Sequence, residues 1–179
     1  MTSLARRNPI LRMLTALVAT AVCLVATSGP ANAKVYWENM VDHFDDNAAS
    51  RWRVSSTGDG LAGFGNGQAS ISHSLASGWT EISRDVTVPW AGQHECFAGI
   101  SLRNLLTGVA VVNIEVIDPD TWNYLAVSQV RVTNTEYLIR GTPRFMATGQ
   151  TNVVFRASLV GTGAFVAIYL DNMFIQCLV

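Results

Sequence analysis

Residues 152–160 read Asn-Val-Val-Phe-Arg-Ala-Ser-Leu-Val, and their order of apolar and polar side chains indicates the fold class. Its residues alternate along an extended chain: one side carries Val153, Phe155, Ala157 and Leu159, and the other carries Asn152, Arg156 and Ser158. A hydrophobic period of two, rather than 3.6, is typical of a half-buried β-strand. The stretch therefore predicts a strand with one face in a core and the other in water.

Similar runs of about eight residues recur along residues 34–179, separated by Gly, Pro, Asn and Asp. Clean alternation is found in Glu95–Arg103 and Ala110–Asp118, and a composition rich in Val, Ile, Thr and aromatics in Glu81–Val88 and Tyr124–Val132. The last run, Phe165–Cys177, is apolar on both faces up to Leu170, which predicts a strand buried on both sides.

Turn signals separate these runs at intervals that suit hairpins, among them Asn66-Gly67, Asp118-Pro119-Asp120 and Gly161-Thr162-Gly163. No segment of comparable length has helical spacing with caps. About eight or nine short strands predict an all-β protein, an antiparallel β-sandwich of the jelly-roll type. An immunoglobulin-like sandwich is the alternative, although Cys96 and Cys177 stand further apart than that fold's usual bridge.

Residues 1–33 have the features of an export signal. Three arginines precede the apolar stretch Met13–Thr27, and Ala31-Asn32-Ala33 supplies a small-x-small cleavage pattern. The apolar stretch is shorter than the roughly 20 residues that a membrane span needs. We therefore expect residues 34–179 to form a single domain that is secreted and is not a membrane protein.

Acidic residues outnumber basic ones more clearly in residues 34–179 than in the whole chain, because three arginines and no acidic residue belong to the predicted signal. Nucleic acids and anionic membranes attract proteins through clustered basic charge. The balance predicts neither as a partner.

Cys96 and Cys177 are the two cysteines that remain after the predicted signal is removed. In an oxidising location such a pair is expected to bridge. We predict a structural Cys96–Cys177 disulfide that clips the two stacked sheets together. Catalytic dithiols normally lie two residues apart, so a redox role is not predicted.

Both ends of residues 34–179 carry a family resemblance. The opening has Phe44-Asp45-Asp46 and Arg51-Trp52, and the closing part has residues 153–157, Gly161-Thr162-Gly163 and residues 168–175, which read Ile-Tyr-Leu-Asp-Asn-Met-Phe-Ile. These segments resemble the galactose-binding-like jelly rolls found as carbohydrate-binding modules in secreted bacterial proteins. The resemblance implies a jelly roll and a glycan partner, and the functional part is an analogy at the level of the fold.

The resemblance also implies a structural Ca²⁺ where the first and last strands meet, a site that needs six to eight oxygen ligands. Asp171 matches the acidic position of the last strand, and Glu38, Asp45 or Asp46 could supply the N-terminal ligands. Alternatively, Asp171 is a hydrogen-bonded residue at a bend and Asp45-Asp46 form a turn.

Sugar recognition needs a flat aromatic surface beside planar polar groups. Trp79, Trp90 and Trp122 stand at predicted loop or strand ends, so they are candidate ligand contacts, whereas Trp37 and Trp52 adjoin predicted core strands. The alternative is that these tryptophans close the ends of the core.

A second candidate surface is a polar sheet face. If the three middle strands adjoin, that face carries Arg103, Asn113, Glu115, Gln129 and Arg131. The alternative is the ordinary solvated side of an antiparallel sheet.

Catalytic motifs are absent from the sequence: there is no Gly-x-Ser-x-Gly and no His-Glu-x-x-His. Nothing selects two glutamates as a glycosidase pair. We predict a secreted, non-catalytic binding protein for extracellular or cell-wall glycan. The alternative is a secreted protein-interaction or structural protein, such as an inhibitor or a cell-surface component, that uses loop ends. The glycine-rich stretch Thr57–Gly67, predicted to be a long mobile loop, is one such end.

Overall fold

A computed structural model describes residues 37–45, 47–74, 76–88, 93–133 and 135–178. The predicted signal at residues 1–33 lies outside the described residues, as do Asp46 and Trp90. Every described residue belongs to one compact unit. Within this part of the chain, no helix is long and apolar enough to cross a membrane.

The described residues form twelve strands and one short helix. The strands are β1 (Trp37–Asp42), β2 (Arg53–Ser56), β3 (Leu61–Gly65), β4 (Gln68–His73), β5 (Trp79–Thr87), β6 (Gln93–Asn104), β7 (Ala110–Ile117), β8 (Tyr124–Val132), β9 (Leu138–Gly141), β10 (Phe145–Thr148), β11 (Asn152–Val160) and β12 (Val166–Leu178), and helix α1 is Ala48–Arg51.

The strands form two antiparallel sheets. One has seven strands in the order β10-β6-β12-β4-β3, with β1 also paired to β12 and β9 to β6. The other has five strands in the order β2-β5-β11-β7-β8. The prediction of an all-β, antiparallel, jelly-roll sandwich is therefore confirmed. The strands beyond the expected eight or nine are mainly short ones, such as β2, β9 and β10, that lack a full alternating run.

The core lies between the sheets, where the alternation of β11 predicts it. Val153, Phe155, Ala157 and Leu159 on β11 and Cys96, Ala98, Ile100 and Leu102 on β6 are all buried. Strand β12 is buried on both sides near its start, where the successive residues Val166, Ala167 and Ile168 are all buried. Burial of these apolar side chains is the main favourable term in folding.

The predicted disulfide is present, but its place in the fold differs from the expectation. Cys96 on β6 and Cys177 on β12 lie directly opposite each other in the same sheet. The expectation that the disulfide clips the two sheets together is therefore wrong. It assumed that the last strand and β6 belong to different sheets, whereas the two strands are neighbours.

The two sheets are joined at one edge by the buried carboxylate of Asp42 on β1. It accepts hydrogen bonds from Arg51 of α1 and from Trp52 Nε1, and it pairs with Arg84 on β5 of the other sheet. Burial alone would raise the pKa of Asp42, but the hydrogen bonds from Arg51 and the Phe44 N–H outweigh burial and hold that pKa below its ordinary value.

The glycine-rich stretch Thr57–Gly67 is not a long loop, so that prediction is wrong. Strand β3 pairs with β4 through the turn Asn66-Gly67, in which φ is 53° and 72°. Positive φ at both central residues is typical of a type I′ hairpin turn, which favours Asn-Gly. The hairpin signal at Asn66-Gly67 was more informative than the number of glycines.

Candidate functional site

The outer face of the five-stranded sheet carries two transverse rows of mostly polar side chains. Strand register places Ser55, Glu81, Ser158, Asn113 and Gln129 side by side in one row. The next row contains Arg53, Ser83, Arg156, Glu115 and Val127. We call these two rows the polar face. Alternation along five paired strands is what brings these residues together from distant parts of the sequence.

Arg156 of β11 is at the centre of the polar face. Its Nε donates a hydrogen bond to Glu115 Oε2 and lies 3.6 Å from Glu81 Oε2. Its Nη2 donates a hydrogen bond of 3.1 Å to the hydroxyl of Tyr124. Burial alone would lower the pKa of Arg156, but the hydrogen bond from Arg156 to Glu115 and the two carboxylate charges raise it above its ordinary value. The guanidinium thus stays charged between two carboxylates.

Glu81 of β5 is the less well compensated of these carboxylates. Its side chain is 16% exposed, and burial raises its pKa, with Arg156 opposing the effect and the charge of Glu115 adding to it. Among the described residues no hydrogen bond to its carboxylate is formed, because Arg156 Nε is directed at Glu115. Two oxygens with free acceptor capacity therefore face the surface of the sheet.

Two adjoining depressions lie on this face, and both include Glu81 and Arg156. The first, of about 310 Å³, is also lined by Trp79, Asn113 and Ser158. The second, of about 280 Å³, is also lined by Trp122, Arg53 and Ser83. Each depression thus combines one tryptophan with the same two charged residues, Glu81 and Arg156.

Trp122 has an unusual backbone conformation. Its φ is 57° and its side chain is 65% exposed. Its N–H donates a hydrogen bond of 2.8 Å to the carbonyl of Asp118, and the Asp118 carboxylate accepts hydrogen bonds from Asp120 and Gln150. A bulky residue with positive φ is uncommon and strained. The turn at Asp118 holds Trp122 in this conformation.

Most of the sequence-predicted contact residues gather on the polar face or at its ends. Trp79 begins β5 and Trp122 precedes β8, so each lines one depression. Asn113, Glu115, Gln129 and Arg131 share the outer face, and Gln129 Nε2 donates a hydrogen bond of 3.1 Å to Asn113 Oδ1. Trp90 lies outside the described residues.

Arg103 is not part of this face, because the condition that the three middle strands β6, β7 and β8 adjoin is not met. Strand β6 pairs with β12, β9 and β10 in the seven-stranded sheet, and only β7 and β8 are neighbours. The guanidinium of Arg103 lies between the rings of Tyr137 and Tyr169, at 4.8 and 4.7 Å from their centroids. Consecutive strands often pair, but a jelly roll transfers the chain between sheets at this point.

Glu81, Arg156 and Tyr124 are site residues that the sequence reasoning did not select. The outward position of Arg156 was visible in the alternation of residues 152–160. Its neighbours were not, because the pairing of β11 with both β5 and β7 is a long-range property of the fold.

The described acidic residues do not by themselves provide a calcium site. Asp45 is exposed and pairs with Arg51 at 2.8 Å, and Asp171 Oδ1 accepts a hydrogen bond from the Asn172 N–H. The described part of the chain contains no group of three or more His, Cys, Asp or Glu side chains that could hold a metal. The side chain of Glu38 and all of Asp46 lie outside the described residues. Structural calcium stays a prediction, tested by the effect of a chelator on the melting temperature.

Solved structures similar to this chain include carbohydrate-binding modules. A family 61 module in complex with β-1,4-galactotriose matches with a TM-score of 0.50 and 17% identity, over 75% of this chain and 90% of that one. A family 4 module matches at 0.51 and 14% identity, over 78% and 94% of the two chains. A mutant of a family 29 module matches at 0.52 and 12% identity, over 79% and 92%.

Parts of larger enzymes also occur among the similar structures. No protein-family model and no curated protein matches the sequence. At these identities the likeness establishes the fold alone. The resemblance of this chain to the galactose-binding-like, jelly-roll carbohydrate-binding modules is thereby confirmed for its fold.

Proposed function

We propose that this protein is a secreted, non-catalytic carbohydrate-binding protein that holds an extracellular or cell-wall glycan on the polar face. The observation that carries the proposal is that Trp79 and Trp122 each line one of two depressions, and that both depressions also contain Glu81 and Arg156. An indole supports the C–H side of a pyranose ring, and planar carboxylate, amide and guanidinium groups bind its hydroxyls.

The strained backbone of Trp122 supports the proposal. Phe44, the other aromatic residue with positive φ in the described part of the chain, is buried against Trp52, so packing accounts for its conformation. Trp122 is largely exposed and has no comparable packing. Backbone strain that packing does not account for is frequent at ligand-binding sites.

The arrangement of Glu81 and Glu115 supports binding rather than hydrolysis. A glycosidase places the scissile bond between its two carboxylates. Here both carboxylates lie within 3.6 Å of Arg156 Nε, so the guanidinium occupies the intervening space. The three groups form an ion-pair cluster that can orient hydroxyls.

Secretion is part of the proposal and depends on the sequence of residues 1–33. A disulfide between Cys96 and Cys177 is consistent with it, because such bonds persist mainly outside the cytoplasm. Mass analysis of the exported protein, with an N-terminus at Lys34, tests this part.

The binding test is retention on insoluble polysaccharides together with calorimetric titration of soluble oligosaccharides. We expect Trp79→Ala and Trp122→Ala each to weaken binding about tenfold or more, because aromatic anchors dominate such sites. Ile139→Ala removes an exposed apolar side chain from the seven-stranded sheet and serves as the matched control, with unchanged binding. Failure of the wild-type protein to bind any polysaccharide would overturn the proposal and favour the protein-interaction alternative.

A further inference from the structure

The charges of the polar face do not balance locally. Arg53 and Asp85 neutralise each other through two hydrogen bonds of 2.8 and 3.0 Å at the edge of the sheet. Arg156 faces both Glu115 and Glu81, and its Nε hydrogen bond goes to Glu115. One guanidinium therefore compensates two carboxylates, and the central cluster has an excess of one negative charge.

The excess charge is located at Glu81. Glu115 is the more buried of the two carboxylates, with a side chain 7% exposed, and it has the guanidinium as its hydrogen-bond donor. Glu81 is 3.6 Å from the same nitrogen, which is too far for a hydrogen bond. A half-buried carboxylate with unused acceptor capacity is the group on this face that most needs a donor from a ligand.

We propose that Glu81 makes the polar face select sugar units that carry a free ammonium group, as in a de-N-acetylated amino sugar, over their neutral and acidic counterparts. The inference rests on the proposed glycan-binding function and names the ligand class for the same site.

The reason is that a hydroxyl, an ammonium, an N-acetyl and a carboxylate group of a sugar interact differently with a carboxylate that has no hydrogen-bond donor of its own. A hydroxyl donates a hydrogen bond but leaves the excess charge in place. An ammonium group donates a hydrogen bond to the same carboxylate and also brings a positive charge, so it neutralises the excess charge of the cluster. An N-acetyl group has one N–H and no charge, and a uronate carboxylate repels both Glu81 and Glu115.

The position of Glu81 fits this role. It lines both depressions, so one ammonium group reaches it from the side of Trp79 or from the side of Trp122. Burial raises the pKa of Glu81, which indicates that its charged form lacks full compensation in the free protein. A cationic ligand supplies the missing compensation.

The experiment is calorimetric titration with a matched series of β-1,4-linked oligomers of equal length, composed of glucose, N-acetylglucosamine or glucosamine units, together with an oligouronate. At about pH 6 most of the sugar amine is protonated, because this pH lies below the pKa of an α-amino group, about 7.7–8.0. We expect the glucosamine oligomer to bind about fivefold more tightly than the glucose oligomer, equivalent to about 1 kcal/mol, and the oligouronate to bind most weakly.

Glu81→Gln keeps the shape of the side chain and removes its charge. We expect the fivefold ratio between the glucosamine and glucose oligomers to fall to about one in this variant. Glu95→Gln removes one carboxylate from β6 of the other sheet, and it controls for net charge by retaining the ratio. Thermal melts establish that both variants are folded. Added salt reduces the ratio for the wild-type protein, because exposed parts of the interaction are screened.

The outcomes separate the two proposals. If none of the oligomers or polysaccharides binds, glycan binding itself is refuted. If the oligomers bind and the glucosamine form has no advantage, or if Glu81→Gln retains that advantage, only the selection by Glu81 is refuted.

Discussion

The two sheets place an arginine on their outer faces in opposite chemical surroundings. On the five-stranded sheet, Arg156 lies between two carboxylates and leaves one of them undercompensated. On the seven-stranded sheet, Arg103 is stacked between Tyr137 and Tyr169, and it forms no ion pair with any described residue. The cluster around Arg156 keeps polar groups that a ligand can bind. The guanidinium of Arg103 is instead packed against aromatic rings.

Other features of the two sheets also differ in this way, with stabilising contacts on one sheet and accessible polar groups on the other. The seven-stranded sheet contains the disulfide, which joins two of its neighbouring strands. The two depressions lie on the five-stranded sheet, and the strained Trp122, in the connection between β7 and β8, lines one of them. We infer that the seven-stranded sheet mainly stabilises the fold and that the outer face of the five-stranded sheet is kept for binding. Four predictions test whether the two sheets are divided in this way.

The largest expected effect on stability comes from removing the disulfide. Replacement of both Cys96 and Cys177 by Ala should lower the free energy of unfolding by about 4 kcal/mol, because the bond closes a long loop in the unfolded chain. Urea denaturation of the variant and the wild-type protein measures this loss. Glycan affinity of the folded variant should change less than about twofold, and a parallel loss of affinity would show that the two faces are not independent.

The second prediction compares the two arginines directly. Arg156→Met leaves the carboxylate of Glu115 buried without its partner, and we expect a loss of about 3 kcal/mol in the free energy of unfolding. Arg103→Met removes cation–π contacts and should cost only about 1 kcal/mol.

Denaturant unfolding of the two Met variants measures the difference. Adding Glu115→Gln to Arg156→Met should recover part of the lost free energy of unfolding, because the buried, unpaired charge of Glu115 is then removed. Equal losses for Arg156→Met and Arg103→Met would contradict the division between the two sheets.

The third prediction concerns the pH dependence that Glu81 confers. The pKa of Glu81 is raised in the folded protein, so the folded state holds its proton more tightly than the unfolded state does. Wild-type stability should therefore fall as the pH rises from the unfolded pKa of Glu81 through its folded pKa. Glu81→Gln lacks this loss, and it should be more stable than the wild-type protein at neutral pH.

The gain in Glu81→Gln should be smaller than the loss in Arg103→Met, and it should disappear in acid. Melting temperatures measured across the pH range test both points. A variant less stable than the wild-type protein at neutral pH would show that Glu81 has a stabilising partner in the fold and that its charge is not available to a ligand.

The sequence predicts the strands well because alternation is a local property. Asn152–Val160 and Tyr124–Val132 have the bounds that the sequence predicts. The predicted core side of β11 is buried, but Val154 and Ser158 on its other side are buried as well, so the prediction that this side lies in water is only partly correct. The disulfide also follows from local information, the number of cysteines and the expected location. Helix and strand bounds are decided within about ten residues of chain, which is the range that periodicity examines.

Strand order and the composition of the polar face could not be predicted in the same way. A face that carries both Arg103 and Asn113 requires β6 and β7 to lie in one sheet, whereas the chain changes sheets between these two strands. Glu81 and Arg156 meet because β5 pairs with β11 across a long separation. Such pairings depend on how the whole sandwich packs. No single stretch of sequence therefore predicts them.

The smallest expected effect on stability is the most direct test of the division. Asn172 occupies a left-handed position on β12, with a φ of 48°, whereas Trp122 occupies one beside the polar face. Asn tolerates this conformation better than a bulky residue does. Trp122→Asn should therefore raise the free energy of unfolding by about 0.5 kcal/mol, since strain is relieved and little packing is lost from an exposed side chain.

The same variant should lose glycan affinity about tenfold, because the aromatic surface of the second depression is gone. Calorimetric melts and titrations measure the two effects on one preparation. A variant that is less stable and still binds would mean that Trp122 serves the fold, and the strain at this position would then need another cause.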